Sequence, residues 1–152
     1  MPKILSEAQV DQFRREGYVP RVRVMSEAQA LEVREKIERF EKQQGTVLRG
    51  DQRHKSHLLF KFLSDVVHLQ PIVDAIEDLY GPDLLCWNTN FFIKEGRTPA
   101  FVSWHQDSTY WGLSAPDVVT AWVAFSESNE ASGAMSVDRK STRLNSSHIT
   151  IS

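Results

Sequence analysis

The apolar period of this chain changes once. Up to Gly81-Pro82 the hydrophobic side chains recur every three or four residues, and from Leu84 onward they alternate. A spacing near 3.6 belongs to a helix with one buried stripe, and a spacing of 2 to a strand with one buried face. Helices first and strands afterwards predict an α+β chain, with a helical part over about residues 1–82, a strand part over about 83–137, and the functional site in the sheet.

Local signals mark where the elements begin and end. Ser6-Glu7-Ala8-Gln9 and Ser26-Glu27-Ala28-Gln29 each place a capping serine three residues before a glutamine, so each can satisfy free backbone donors at a helix start. The first helix carries Val10 and Phe13 and stops at Gly17. The second presents Ala30, Val33, Ile37 and Phe40 as one stripe and ends near Gly45. Between them Tyr18–Val24 alternates and is expected to be extended. A charged loop, Arg49–Lys55, precedes a helical stretch through Val66 and Val67. Pro71 then opens a helix with Ile72, Ile76 and Leu79 on one side, closed by Gly81-Pro82. Leu84–Lys94, Phe101–Asp107 and Val118–Phe125 read as three strands.

Composition narrows the function classes. Of 152 residues, 41% are hydrophobic and 25% charged, enough apolar material for a core and too much for a disordered chain. No apolar run approaches the roughly 18 residues of a membrane span, and the first residues lack the apolar block of a secretory signal, so the cytoplasm is the expected location. The lone Cys86 lies in an apolar run and is expected to be a buried, inert thiol. A net charge of −2 offers no field to attract nucleic acid. Residues 1–137 carry 15 basic against 19 acidic residues, and the compositionally foreign last fifteen carry three against one.

Trp104-His105-Gln106-Asp107 is the stretch richest in chemistry. On a strand, residues i and i+2 share a face, which sets the His105 imidazole beside the Asp107 carboxylate. That is two-thirds of the 2-His-1-carboxylate set that binds Fe(II) and leaves positions open for cosubstrate and O₂. Alone the pattern is weak, since about 0.7 instances of His-x-acid arise by chance in such a composition. An imidazole and a carboxylate sharing an ordinary hydrogen bond is the plain rival.

The context is more specific. Phe92-Ile93-Lys94-Glu95-Gly96, the block from Val102 to Gly112 and Val118–Phe125 resemble the phytanoyl-CoA dioxygenase family of Fe(II)/2-oxoglutarate oxygenases, as does the capped opening helix followed by Gly17-Tyr18-Val19. The resemblance covers about residues 4–137. It implies a double-stranded β-helix, the jelly roll of cupin-like proteins, with His105 and Asp107 as metal ligands. It further implies that Lys55, Asn90, Gln106 and Trp122 hold 2-oxoglutarate. Tyr110 and Trp111, just past the metal pair, are candidates for the substrate wall. The activity implied is hydroxylation of a small organic molecule by Fe(II), 2-oxoglutarate and O₂. Related halogenases have a small residue where Asp107 stands, so Asp107 points to hydroxylation. Each role has a plainer competitor: a solvated charged loop for Lys55, a solvent-facing strand side for Asn88, core packing for Trp122. His54, His57 and His68 read as structural.

Two family residues are not found. The family takes a second histidine, then an arginine for 2-oxoglutarate, from strands downstream. Here His148 is the only histidine after Asp107, and Arg143 precedes it. Asp138-Arg139-Lys140-Ser141-Thr142-Arg143-Leu144-Asn145-Ser146-Ser147-His148 also resembles a translated reading frame of the synthetic adapter used in short-read sequencing. Residues 138–152 are therefore expected to be a non-native tail on a truncated oxygenase domain, residues 1–137, with an incomplete jelly roll and no activity as written. A non-catalytic cupin-like binding module is the alternative. A nucleic-acid-binding domain using Arg49–Lys55 is a third reading, opposed by the net acidity of residues 1–137.

Overall fold

A computed structural model describes residues 1–94, 96, 97, 99, 101–114, 117–137 and 147–151. Four helices fill the first half. Helix α1 (Glu7–Glu16) is followed by strand β1 (Tyr18–Val22) and by α2 (Glu27–Gln44); two single 3₁₀ turns, Gly50–Gln52 and Ser56–Leu58, lead into α3 (Lys61–Val67) and α4 (Gln70–Tyr80). The second half holds one helical turn, α5 (Ser108–Trp111), and the strands β2 (Val119–Val123) and β3 (Ser147–Ile151).

Both serine caps form as the sequence predicts. The Ser6 hydroxyl accepts from Gln9 N at 3.2 Å while Gln9 Oε1 accepts from Ser6 N at 2.8 Å, and Ser26 and Gln29 repeat the same pair of bonds. Gly17 and Gly45 close these helices in the left-handed region, at φ 79° and 72°, where a Cβ would be strained. Pro71 sits in the first turn of α4, where its missing N–H costs no helical bond.

The core lies between α1, β1 and α4. Leu5, Val10, Phe13, Val19, Val22, Val24, Met25, Ile72 and Ala75 are buried together, with Val119, Ala121, Val123 and Phe125 half-buried against them. Phe13 meets Tyr80 edge to face with centroids 6.0 Å apart, and the Tyr80 hydroxyl donates to Val118 O at 3.3 Å, fixing the entry to β2. The N-terminus is fastened to the same helix: backbone N–H groups of Lys3, Ile4 and Leu5 all donate to the Asp78 carboxylate, at 2.6, 2.9 and 2.9 Å. Helix α2 stands apart. Its stripe is only half-buried and none of its residues is buried, although Phe40 packs on Phe60 at 4.8 Å. No helix among the described residues is long and apolar enough to cross a membrane.

The sheet departs from the expected one. Its order is β1-β3-β2 and both pairings are parallel, with Tyr18 and Thr120 both opposite His148, and Val119 opposite Ser147. Of the three strands expected after residue 83, only the third is present, as β2. Leu84–Lys94 forms a single antiparallel bridge, His54 to Asn90, and Phe101–Asp107 pairs with nothing among the described residues. An alternating segment becomes a strand only when a partner supplies the ladder; among the described residues the first segment has only the short 53–55 loop beside it and the second has no partner. Leu85, Phe101 and Trp104 accordingly remain 86%, 82% and 72% exposed. Cys86 is exposed as well, not buried, for the same reason. Its thiol donates to Asn88 O at 3.7 Å, and partial desolvation pushes its pKa above the usual value. Among the described residues the chain is thus an α+β structure without a jelly roll.

Candidate metal and cosubstrate site

His105 and Asp107 come together, but through a turn and not through a pleat. Asp107 has helical backbone angles, φ −55° and ψ −44°, and caps the single turn α5. The turn brings His105 Nε2 within 3.2 Å of Asp107 Oδ1. The remaining polar atom of each side chain is engaged elsewhere. His105 Nδ1 lies 2.7 Å from Ser103 O, and because a carbonyl oxygen only accepts, Nδ1 carries hydrogen. The Thr120 hydroxyl donates to Asp107 Oδ2 at 2.7 Å.

This geometry tests the pair as metal ligands. With Nδ1 carrying hydrogen, the neutral imidazole leaves its Nε2 lone pair 3.2 Å from Oδ1, an arrangement that suits a cation bound by both atoms. Two cis ligands of an octahedral ion with bonds of about 2.1 Å stand about 3.0 Å apart, close to the observed separation. Ser103 O holds the far nitrogen of His105 and Thr120 the far oxygen of Asp107, the kind of contacts that outer partners make in metal sites. The pair therefore fits a metal. Among the described residues no third His, Cys, Asp or Glu joins it.

The sequence-predicted cosubstrate residues fall into two groups. Gln106 is half-buried between His105 and Asp107, and Trp122 is half-buried on β2, two residues after Thr120 and so on the same strand face. Tyr110 is 74% exposed with its ring 6.3 Å from that of His105, and Trp111 beside it is half-buried. Lys55 and Asn90 form the other group. The loop at 53–55 pairs with residues 89–91: Lys55 N donates to Thr89 O at 2.8 Å and Phe91 N to Arg53 O at 3.2 Å. Lys55 also takes a left-handed conformation, φ 51°, and its ammonium lies 5.0 Å from the centre of the Trp87 ring. Among the described residues no hydrogen bond or ion pair links Lys55 or Asn90 with His105 or Asp107.

Sequence reasoning missed Thr120, Thr89 and Trp87. Thr120 shares its strand face with Trp122, and a hydroxyl on an otherwise apolar strand was the available signal. Thr89 has no such signal, because its partners are more than 30 residues distant. Of the histidines read as structural, His57 bonds through Nδ1 to Thr89 Oγ1 at 2.8 Å. Its pKa is held below the usual value by burial first, and then by the positive fields of His68 and Lys55.

His105 and Asp107 thus form a contacting pair, each braced on its far side, with Trp122 on the strand that supplies Thr120. The chain belongs to the phytanoyl-CoA dioxygenase (PhyH) family, whose sequence model matches residues 1–148. It is also similar to a probable alpha-ketoglutarate-dependent hypophosphite dioxygenase of Stutzerimonas stutzeri, at 29% identity over 97 residues, 63% of this chain and 34% of that protein. The chain thus spans about a third of the length of that curated relative. No solved structure matches it.

Proposed function

We propose that this chain is part of an Fe(II)/2-oxoglutarate-dependent dioxygenase that hydroxylates a small organic molecule. The observation that carries the reading is the braced pair, His105 Nε2 facing Asp107 Oδ1 at 3.2 Å with Ser103 O and Thr120 on the outer atoms. The family and the relative's 2-oxoglutarate dependence support it.

His105 and Asp107 would hold the metal, and the Ser103 and Thr120 contacts keep their free atoms aimed at it. When bound, Fe(II) lets O₂ react so that one oxygen atom enters succinate as 2-oxoglutarate loses CO₂ and the other becomes the product hydroxyl. Lys55, with a fixed positive charge, neutralises a cosubstrate carboxylate; Asn90 and Gln106 offer amide donors, and Trp122 a flat apolar wall. Tyr110 and Trp111 shield the substrate side from water. A cytoplasmic location goes with this reading, since a reducing compartment preserves both Fe(II) and the Cys86 thiol.

In the same proposal residues 138–152 are not native, and segments 84–94 and 101–107 are front strands of a jelly roll whose partners the native frame encodes. Two protein ligands alone bind iron weakly, so the chain as written is inactive. The test is to read the frame past Val137 from genomic DNA prepared without adapters, express it, and measure succinate from 2-oxoglutarate with Fe(II) and O₂. The frame should continue into strand-like sequence containing a histidine and then an arginine, and His105→Ala should lower succinate formation at least about 100-fold. A native stop just after Ser152 removes the truncation, and full turnover by His105→Ala removes the metal assignment.

A further inference from the structure

Thr89 ties three consecutive residues of a distant loop. Its carbonyl accepts from Lys55 N at 2.8 Å, and its hydroxyl lies 3.3 Å from Ser56 Oγ and 2.8 Å from His57 Nδ1. Ser56 is 2% exposed, so this knot sits in the protein, while Lys55 next to it emerges. Two residues before Thr89, on the same side of the extended segment, Trp87 places its ring 5.0 Å from the Lys55 ammonium. Asn88 Oδ1 adds a second, longer acceptor for Lys55 N at 3.3 Å. Lysine is ordinarily the most mobile of side chains, with four rotatable bonds and a strongly hydrated head. Here both its ends are held: the backbone in a left-handed turn by Thr89, the ammonium over an indole face.

We propose that Trp87 and Thr89 are positioning residues that hold the Lys55 ammonium ready for a carboxylate of the cosubstrate, an inference that rests on the cosubstrate role proposed above for Lys55. An ammonium stacked on one face of an aromatic ring keeps its other hydrogens directed outward, and these are free for an oxyanion. A lysine already confined loses less freedom when the anion arrives, so the anion binds more tightly. Trp87 touches neither metal nor substrate; it acts through Lys55 alone.

The test reads Lys55 directly in the protein expressed from the native frame read past Val137, with Zn(II) as a redox-inert metal and 2-oxoglutarate as the probe. In chain labelled with carbon-13 at lysine, the Lys55 ε-methylene protons, assigned by their loss in Lys55→Arg, should lie upfield of the other lysines because of the indole ring current. Trp87→Ala should remove that displacement and Trp87→Phe keep part of it. Titration with 2-oxoglutarate should move the Lys55 signal to saturation. The dissociation constant should rise about two- to fivefold in Trp87→Ala, the factor that corresponds to an exposed cation–π contact, and return towards the wild-type value in Trp87→Phe. Thr89→Val should weaken binding in the same direction and Thr89→Ser restore it; if Thr89→Val fails to fold, the Trp87 variants decide alone. A wild-type response that Trp87→Ala leaves unchanged overturns the positioning role and leaves the Lys55 assignment standing. A wild-type Lys55 signal that ignores 2-oxoglutarate overturns the assignment, and this inference with it.

Discussion

Replacing Thr120 by valine removes one hydroxyl and almost no volume. The lost contact is the 2.7 Å bond that the hydroxyl donates to Asp107 Oδ2. A hydrogen bond to a charged acceptor contributes about 1.5–3 kcal/mol, and the lower end applies here because the Asp107 side chain is still 18% exposed, so water can replace the donor. About 1.5 kcal/mol is a tenfold change in an equilibrium constant, which also lies at the lower end of the 10–100-fold loss in metal affinity that follows removal of an outer partner. The freed carboxylate can rotate, and the alignment of Oδ1 with His105 Nε2 is then no longer imposed. Calorimetric titration with Zn(II) should give a dissociation constant about ten times higher for Thr120→Val than for the wild-type chain, with Thr120→Ser close to wild type. Thermal stability should fall far less than affinity, because Thr120 is only half-buried and valine fills its place. Equal Zn(II) affinity in the valine variant would falsify the bracing role of Thr120. A large loss in Thr120→Ser as well would show that packing, not the hydroxyl, sets the site.

Two further outcomes concern the scaffold. Burial alone would raise the Asp78 pKa, but the N–H groups of Ile4, Leu5 and Lys3 outweigh it, with help from the Lys3 charge, and hold the carboxyl below its ordinary value. Stability from this clamp is therefore complete above the unfolded carboxylate pKa of about 3.9 and is lost as the pH falls through the lower folded value. Thermal melts between pH 7 and pH 2 should show that loss in the wild type and a shallower one in Asp78→Asn, which should also be about 1–3 kcal/mol less stable at pH 7; parallel curves would remove the clamp from the account. Ser26→Ala should cost about 1 kcal/mol of helix stability. Because α2 contains no buried residue, this cost should appear as faster amide exchange within Glu27–Gln44 and scarcely in the global melt; protection of α2 equal to wild type would count against it.

What the sequence makes legible follows the reach of each interaction. The two capping boxes, the glycine stops and the proline start depend on residues within four positions of one another, and all of them form. The stripe of α2 is visible as a pattern, but its half-buried state depends on what packs against it, which no periodicity encodes. The segments 84–94 and 101–107 alternate correctly and still form no strand, since a ladder needs a partner at a distance. At the site, the meeting of His105 and Asp107 is legible and its cause is not: a helical Asp107, not an extended one, closes the gap. The partnership of Lys55 with Thr89 spans more than 30 residues and rests on a backbone bond, which carries no residue signature. The roles carried over by resemblance from the family cover the ligands and cosubstrate residues, while Thr120, Thr89 and Trp87 became visible only as contacts.

The clamp on Asp78 turns the first half of the chain into a closed ring. Residues 3–5 are joined to residue 78, so everything from the first helix to the end of α4 lies on one loop whose ends are fastened together. During synthesis this ring can close as soon as α4 has left the ribosome, before His105 and Asp107 have emerged to join the folded part. The helical half would then be a template already set when the later, apolar segments emerge. A tag or an extra residue placed directly before Met1 would press on the fastening point, so material added at the N-terminus should disturb the order of assembly more than material added anywhere in the exposed Glu27–Gln44 helix.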